Sequence, residues 1–578
     1  MPHKSRWSIP LPQCSFPTFL FGSPHKDVGD AKAYIDAARP DELFLTRRDF
    51  RLWSQRLALG LLRSQAFHPG DRVLIFSGNT LATPVAFMGV VMAGGIFTGA
   101  NPTFTSRELA HQLRDSEATY LFCSPSSIAT GLEAARQAGL DKSRVYLFDE
   151  SIFLDEGSSS HAELAGCRHW SGLVAPAEDA KDFQWEELDG DKCSKTIALN
   201  YSSGTTGVPK GVEVSHYNYI ANTLQYNHLA TLDPHYAQKN ARAKWLCFLP
   251  LYHAMAQTIY IAGSLLREIP VYIMAKFDFL EMLVNVERFK ITDLSIVPPI
   301  AVALSKHPAA RKANLSSIES VGCGSAPLGS DICRAIEKLC GNRVNMKQGW
   351  GMTEVTCSLL GWDPTKTSSS SGVGEPNANC TAKIMRIVTD DSGNEEEASF
   401  SEVTERGPAH TGELWCRGPN VMKGYWRNPT ATNKTFSVAD ADGERWLRTG
   451  DIAYVDEEGC FYIVDRIKEL IKVNANQVAP AELEALLLEH PAVADVAVIG
   501  IPTADGDERP RAFVVRQPGG ARVTEQDIYD FVKETAVPYK WLKGGVEWID
   551  TIPKNPSGKI LRRHLRETSK VKLAPSKL

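Results

Sequence analysis

The chain has 578 residues, 43% of them hydrophobic and 23% charged, with a formal net charge of −5. That length exceeds what one hydrophobic core supports, so at least two domains are expected, with the composition of a soluble globular protein. The weakly acidic balance gives no footing for a nucleic-acid partner. Twelve cysteines without a C-x-x-C pair or a Cys/His cluster point to free thiols rather than to zinc or a disulfide framework.

The amino-terminal stretch Met1-Pro-His-Lys-Ser-Arg-Trp7 lacks the apolar core of a signal peptide. Residues 81–100 form one long apolar run, but Pro84, Gly89, Gly94 and Gly95 interrupt it. It reads as a buried helix leading into a strand, not as a membrane span. Between residues 50 and 200 the pattern alternates. Residues 71–76, 119–123 and 144–148 read as strands, and 106–115 and 131–138 as helices. This rhythm predicts parallel sheets covered by helices, followed by an irregular surface excursion over 150–187.

An apolar strand at 196–200 then runs into Tyr201-Ser-Ser-Gly-Thr-Thr-Gly-Val-Pro-Lys-Gly-Val212. Ser202, Ser203, Gly204, Thr205, Thr206 and Gly207 offer hydroxyls and unobstructed N–H groups, and Lys210 closes the loop. Such a loop suits a polyphosphate, the plain alternative being a Ser/Thr/Gly-rich surface turn. It is not a Walker loop, because Gly211 rather than Ser or Thr follows Lys210.

In Cys247-Phe-Leu-Pro-Leu-Tyr-His-Ala-Met255 a strand ends at Pro250 and delivers His253 at its mouth, with Tyr252 and Met255 beside it. Residues 277–290 read as an amphipathic helix and 293–299 as a strand stopped by prolines. Gly322-Cys-Gly-Ser-Ala-Pro327 has small residues that let backbone approach a flat ligand. In Lys347-Gln-Gly-Trp-Gly-Met-Thr-Glu354, Thr353 can donate to a phosphate and Glu354 offers a hard oxygen for Mg²⁺. The acidic segment 388–407 reads as a solvated hairpin, and 412–426 as strands and turns of a small β-rich subdomain. Asp451, after the turn Thr449-Gly450, is suited to gripping ribose hydroxyls. Near the end, Ser557-Gly558 presents Lys559 on a turn. The final Ser576-Lys577-Leu578 is a peroxisomal address, implying import by its receptor.

These motifs, in this order, resemble the acyl-adenylate-forming superfamily, which includes acyl- and aryl-CoA ligases, firefly luciferase and peptide-synthetase adenylation domains. The likeness covers nearly the whole chain and is strongest to 4-coumarate–CoA ligases and fungal aryl- or acyl-CoA ligases. It implies a large α/β amino-terminal domain (1–466) of parallel sheets and helices with a β-rich subdomain, and a small mobile α+β domain (467–578). It implies activation of a carboxylic acid by ATP and Mg²⁺ to acyl-AMP, then transfer to CoA. By resemblance, the 202–210 loop holds the phosphates, and Lys559 bridges carboxylate and α-phosphate, with His253, Thr353 and Glu354 also catalytic. Ser325, Gln348, Gly349, Trp350, Asp451 and Arg466 face the nucleotide, while Tyr252, His253, Met255, Cys323, Gly324 and Gly349 face the acyl group. Lys468 is the hinge, about which Lys472 and Gln477 swing in for thioester formation.

Two departures stand out. Trp350 occupies a position where the family usually has Tyr, losing a phenol hydrogen bond. Asn474-Ala475-Asn476 replaces a Lys-Gly-aromatic run, so Ala475 puts a β-carbon on the expected pantetheine path. That leaves adenylation with transfer to a carrier thiol or an amine as one alternative, and an inactive acyl- or nucleotide-binding protein as another. No charged residue stands out among the pocket candidates, so an apolar acyl or aryl tail is expected.

Overall fold

The computed structural model describes residues 2–154, 163–202, 209–368, 371–388, 399–440, 442–473, 476–503, 507–517, 523–555 and 558–573. The alternating pieces of the first 200 residues build a six-stranded sheet. Its order is Val145–Leu147, Ala118–Cys123, Arg72–Phe76, Ile96–Ala100, Thr196–Ser202 and Lys210–Ser215. All neighbours are parallel except the last pair, an antiparallel hairpin whose strands end at Ser202 and begin at Lys210. The apolar run at 81–100 becomes the helix Ala82–Met92, buried on every side, and the strand Ile96–Ala100. Among the described residues no helix is long and apolar enough to cross a membrane.

A second sheet has seven strands in the order Lys347–Gln348, Ser320–Cys323, Asp293–Ile296, Trp245–Cys247, Val271–Ile273, Lys32–Asp36 and Phe44–Thr46. It is parallel apart from its last pair. The carboxyl ends of its central strands carry the motif residues, where ligands of open α/β sheets bind. The prolines after Ile296 do more than stop a strand. Pro298 opens the helix Pro298–Lys306, in the first turn where a missing N–H costs nothing. The helix Phe279–Phe289 lies inside the amphipathic stretch, capped by the Asp278 side chain accepting the Glu281 N–H.

The third sheet is antiparallel, with Thr381–Val388, Gly412–Arg417, Leu447–Val455 and Phe461–Arg466 as its body. Ser399–Glu402 pairs back on Thr381–Val388, while 389–398 lie outside the described residues. Beyond it, Val493–Pro502, Glu508–Arg516 and Val546–Trp548 form a small sheet beside the helices Pro480–Glu489 and Glu525–Thr535. Leu483, Val496, Val514 and Val532 give it a core of its own, separate from the large cluster that runs from Phe16 to Phe461.

Candidate active site

Two cavities, of about 510 and about 760 Å³, share one wall. Ser325, Gln348, Gly349, Trp350, Gly351 and Lys559 line both. The wall depends on local chemistry that its sequence encodes. A β-carbon on Gly351 would collide with the Cys357 carbonyl. The Gln348 amide bonds both ways with the Leu328 backbone, at 2.9 Å each, and so fixes the turn that carries Ser325. Ser325 itself sits at φ 83°, a left-handed conformation that costs a non-glycine residue about 1–3 kcal/mol.

On the side of the larger cavity, Trp350 Nε1 donates to Asp451 Oδ2 at 2.8 Å, and Arg466 Nε stands 3.0 Å from Asp451 Oδ1. Asp451 and Arg466 are direct partners on adjacent strands. The tryptophan therefore supplies a hydrogen bond of its own, holding a buried carboxylate in orientation. Thr353 and Glu354 lie in the short 3₁₀ turn Thr353–Val355. Glu354 is buried and accepts the Tyr425 hydroxyl at 2.9 Å. Lys210 Nζ rests 4.1 Å from the centre of the same Tyr425 ring. Burial lowers the Lys210 pKa and the Lys468 charge adds to that, against the opposing pull of Glu354. At the loop's entrance, Tyr201 donates to Asp115 at 2.6 Å. Ser202 Oγ is buried and has no hydrogen-bond partner among the described residues. Ser203, Gly204, Thr205, Thr206 and Gly207 lie outside the described residues.

On the other side, His253 caps the short helix Ala254–Ala256, its Nδ1 accepting the Met255 N–H. Burial, with the nearby positive charge of Lys559, pushes its pKa down to about 4, so the imidazole is neutral at physiological pH. Burial also lowers the Lys559 pKa; Arg466 adds to the shift, while Asp451, Glu354 and Glu469 oppose it. Lys559 lines both cavities, with His253 on the smaller one and Asp451 on the larger. Its turn is closed by Lys559 N–H to Asn555 Oδ1 and Asn555 N–H to Lys559 O, both 2.9 Å. A neutral imidazole, a cationic amine and a buried carboxylate at the junction of two cavities suit charge stabilisation at a phosphorus centre.

Residues 24–426 match the sequence profile of the AMP-binding enzyme family, and 482–559 that of the AMP-binding enzyme C-terminal domain. The chain belongs to the AMP-binding enzyme family. Among its relatives is peroxisomal OPC-8:0-CoA ligase 1 of Arabidopsis thaliana, 34% identical over 97% of this chain and 95% of that one. Phenylacetyl-CoA ligase epaB of Aspergillus niger is 33% identical over 98% and 99%. ATP-bound MatB from Rhodopseudomonas palustris superposes with a TM-score of 0.77, at 26% identity over 96% and 99% of the chains.

Within this AMP-binding enzyme, the remaining site candidates fall in different places. Met255, Cys323 and Gly324 line the smaller cavity, and Lys468 the larger. Tyr252 lines neither; it packs on Gly99, leaving no room there for a β-carbon. Lys472 and Gln477 are exposed, paired across the hairpin Ile471–Val473 and Asn476–Val478, and line neither cavity. Asn474 and Ala475 lie outside the described residues. Tyr425 escaped the sequence reading, although Lys423-Gly-Tyr-Trp426 was visible as a turn; only the fold brings its hydroxyl to Glu354. The named pocket candidates carry no charge, but other residues bring charge to the smaller cavity. Asp233, Lys239, Arg267, Asp293, Glu319, Arg343 and Lys347 all line the smaller cavity. All but Lys347 lie outside the motifs, and some are neutralised locally, as in Lys239–Asp233 at 2.6 Å.

Proposed function

We propose that this chain activates a carboxylic acid as its acyl-adenylate and passes the acyl group to CoA, with Lys559 as the adenylation lysine. The observation that carries this reading is the place of Lys559 on the wall shared by the two cavities, with His253 lining the smaller and Asp451 the larger. It is an AMP-forming acid–CoA ligase. The acid's carboxylate oxygen attacks the α-phosphorus of ATP, and the bond to pyrophosphate breaks. The sulfur of CoA then attacks the acyl carbonyl, and the carbon–oxygen bond to AMP breaks.

No covalent enzyme intermediate is needed, because positioning and charge stabilisation supply the rate. Lys559 and Thr353 face the charge that develops on the α-phosphate. Asp451 and Arg466 hold the ribose, with Ser325, Gln348, Gly349 and Trp350 at the base. Ser202 and Lys210, at the two ends of the phosphate loop, steer the departing pyrophosphate. Neutral His253 lies beside the acid's carboxylate without repelling Lys559 as an imidazolium would. Glu354 fits a Mg²⁺ site, since Tyr425 occupies one oxygen and leaves the other for a hard cation. Such an ion, when bound with the triphosphate, neutralises charge there.

The domain division lies at 466/467, with Lys468 as the hinge. Rotation about it would withdraw Lys559 and bring Lys472 and Gln477 to the adenylate. Import into peroxisomes rests on Ser576-Lys577-Leu578, which lies outside the described residues. A fluorescent protein fused ahead of the chain should enter peroxisomes, and deleting the tripeptide should abolish entry. The central test is acid-dependent pyrophosphate release across an acid panel, with and without CoA, with products identified by mass spectrometry. A CoA thioester and AMP are expected; acyl-AMP that accumulates regardless of CoA would mean a different acceptor.

A further inference from the structure

The strand Lys210–Ser215 ends its sheet, and the turn segment 423–426 pairs along its open edge. Val212 and Tyr425 are antiparallel bridge partners. On either side of them the Glu213 N–H donates to the Gly424 carbonyl at 3.0 Å and the Trp426 N–H to the Gly211 carbonyl at 2.8 Å. The Tyr425 N–H itself donates to the Thr432 hydroxyl at 3.0 Å. Side chains alternate along a strand, so Lys210 and Val212 share a face. Tyr425, opposite Val212, is then a diagonal neighbour of Lys210, within reach of an aromatic ring.

Tyr425 is 6% exposed, and it touches two opposite charges in two different ways. Its hydroxyl donates to Glu354 Oε1 at 2.9 Å, while the Lys210 ammonium stands over its ring, 4.1 Å from the centre. Glu354 and Lys210 feel each other, since the Glu354 charge acts to raise the Lys210 pKa. Yet they form no ion pair with each other. Arg466, another cation near the phenol, is already held by Asp451 at 3.0 Å. A lysine stem is long and flexible, and a desolvated lysine–carboxylate pair holds both partners tightly. The phenol offers each a neutral alternative. Its face seats the ammonium without cancelling the charge, and its hydroxyl takes one carboxylate oxygen.

We propose that Tyr425 is a positioning residue, a spacer that keeps Lys210 and Glu354 from pairing with each other so that both stay available to the triphosphate. It acts through these two groups and needs no contact with substrate. The inference rests on reading Lys210 and Glu354 as groups that serve the nucleotide's phosphates.

The test is a cycle of variants of the full chain, read by calorimetry as the Kd for ATP in excess Mg²⁺. Tyr425→Phe keeps the ring and loses the hydroxyl, whereas Tyr425→Leu loses the seat as well. The leucine variant should bind ATP at least about tenfold more weakly than the phenylalanine variant, because Lys210 then closes on Glu354. In a Glu354→Gln background the same two variants should differ by less than about twofold, since an amide offers Lys210 no charge to pair with. Equal affinities of the leucine and phenylalanine variants would confine Tyr425 to its hydroxyl and overturn the spacer. A leucine penalty undiminished by Glu354→Gln would mark a packing defect and overturn it too. Tyr425→Met, equally without a ring, gives the same comparison if Tyr425→Leu does not fold. If the wild-type protein binds no ATP, the ligase reading itself fails.

Discussion

The two halves of the active site are held in different ways. The wall shared by the two cavities and its neighbourhood are held by hydrogen bonds among residues 328–451: Trp350 to Asp451, Gln348 to Leu328, Tyr425 to Glu354. Lys559 reaches that wall from the carboxyl-terminal segment, and its support is shape. Gly558, at φ 82°, sits so near Pro299 that a β-carbon would come within 2.9 Å of Pro299 Cδ. Lys306 Nζ spans the same interface by donating to the carbonyls of Leu488 and Val493. Among the described residues no protein group takes a hydrogen bond from the Lys559 ammonium, which on the proposed reading leaves it for substrate. Side-chain hydrogen bonds thus hold one half, while the other is joined to it by contacts that include Lys306 to Leu488 and Val493 and the Ala481 N–H to Asp465. On the proposed reading, that division suits a lysine used in one half-reaction and moved aside for the next.

The largest effect should come from removing the docked charge. Lys559→Ala should cut acid-dependent pyrophosphate release by about 10²–10³-fold or more, the scale of losing one preorganised donor at a charged transition state. A rate near wild type would remove Lys559 from the chemistry. Gly558→Ala probes docking without touching the charge. Its β-carbon meets Pro299, so adenylation should fall by about tenfold, while thioester formation from supplied acyl-adenylate changes by less than about twofold. Equal losses in both half-reactions would show that the turn does more than dock. On the fixed side, Trp350→Phe keeps the ring and removes the donor to buried Asp451. A hydrogen bond to a charged group is worth about 1.5–3 kcal/mol, so KM for ATP should rise at least about tenfold, more than kcat falls. An unchanged KM would mean that Arg466 alone orients Asp451.

The fixed half was also the more legible in sequence. The Trp350–Glu354 run and Asp451 belong to compact motifs, because a backbone turn and its chemistry must be encoded together. The sheet rhythm was readable for the same reason: apolar runs of strand length alternate with helical spacing over Arg72–Leu147. What escaped depends on juxtaposition of distant segments. Tyr425 meets Glu354 across 71 residues, and nothing in either local stretch announces it. Asp293 looks like an ordinary strand residue until the register places it beside Trp245 and its side chain on a cavity. The prolines after Ile296 were read as a stop, yet proline is as well suited to the first turn of a helix, and local sequence does not separate these roles.

The smallest effect links the two halves directly. His253 belongs to the fixed side, and its pKa of about 4 is set first by burial and second by the charge of docked Lys559. Because this lies below the ordinary value of 6.5, the folded protein resists protonation that the unfolded chain accepts. Any stability tied to His253 is therefore whole above about pH 6.5, declines as pH falls toward 4, and is lost below it. Following the imidazole by NMR should give a titration near pH 4 in the wild-type protein. In Lys559→Met the pKa should rise, yet stay below 6.5, because burial, the larger cause, remains. An unshifted titration would place Lys559 away from His253 in solution and would break the docked arrangement itself. A shift all the way to 6.5 would show that undocking opens the pocket to water as well as removing a charge.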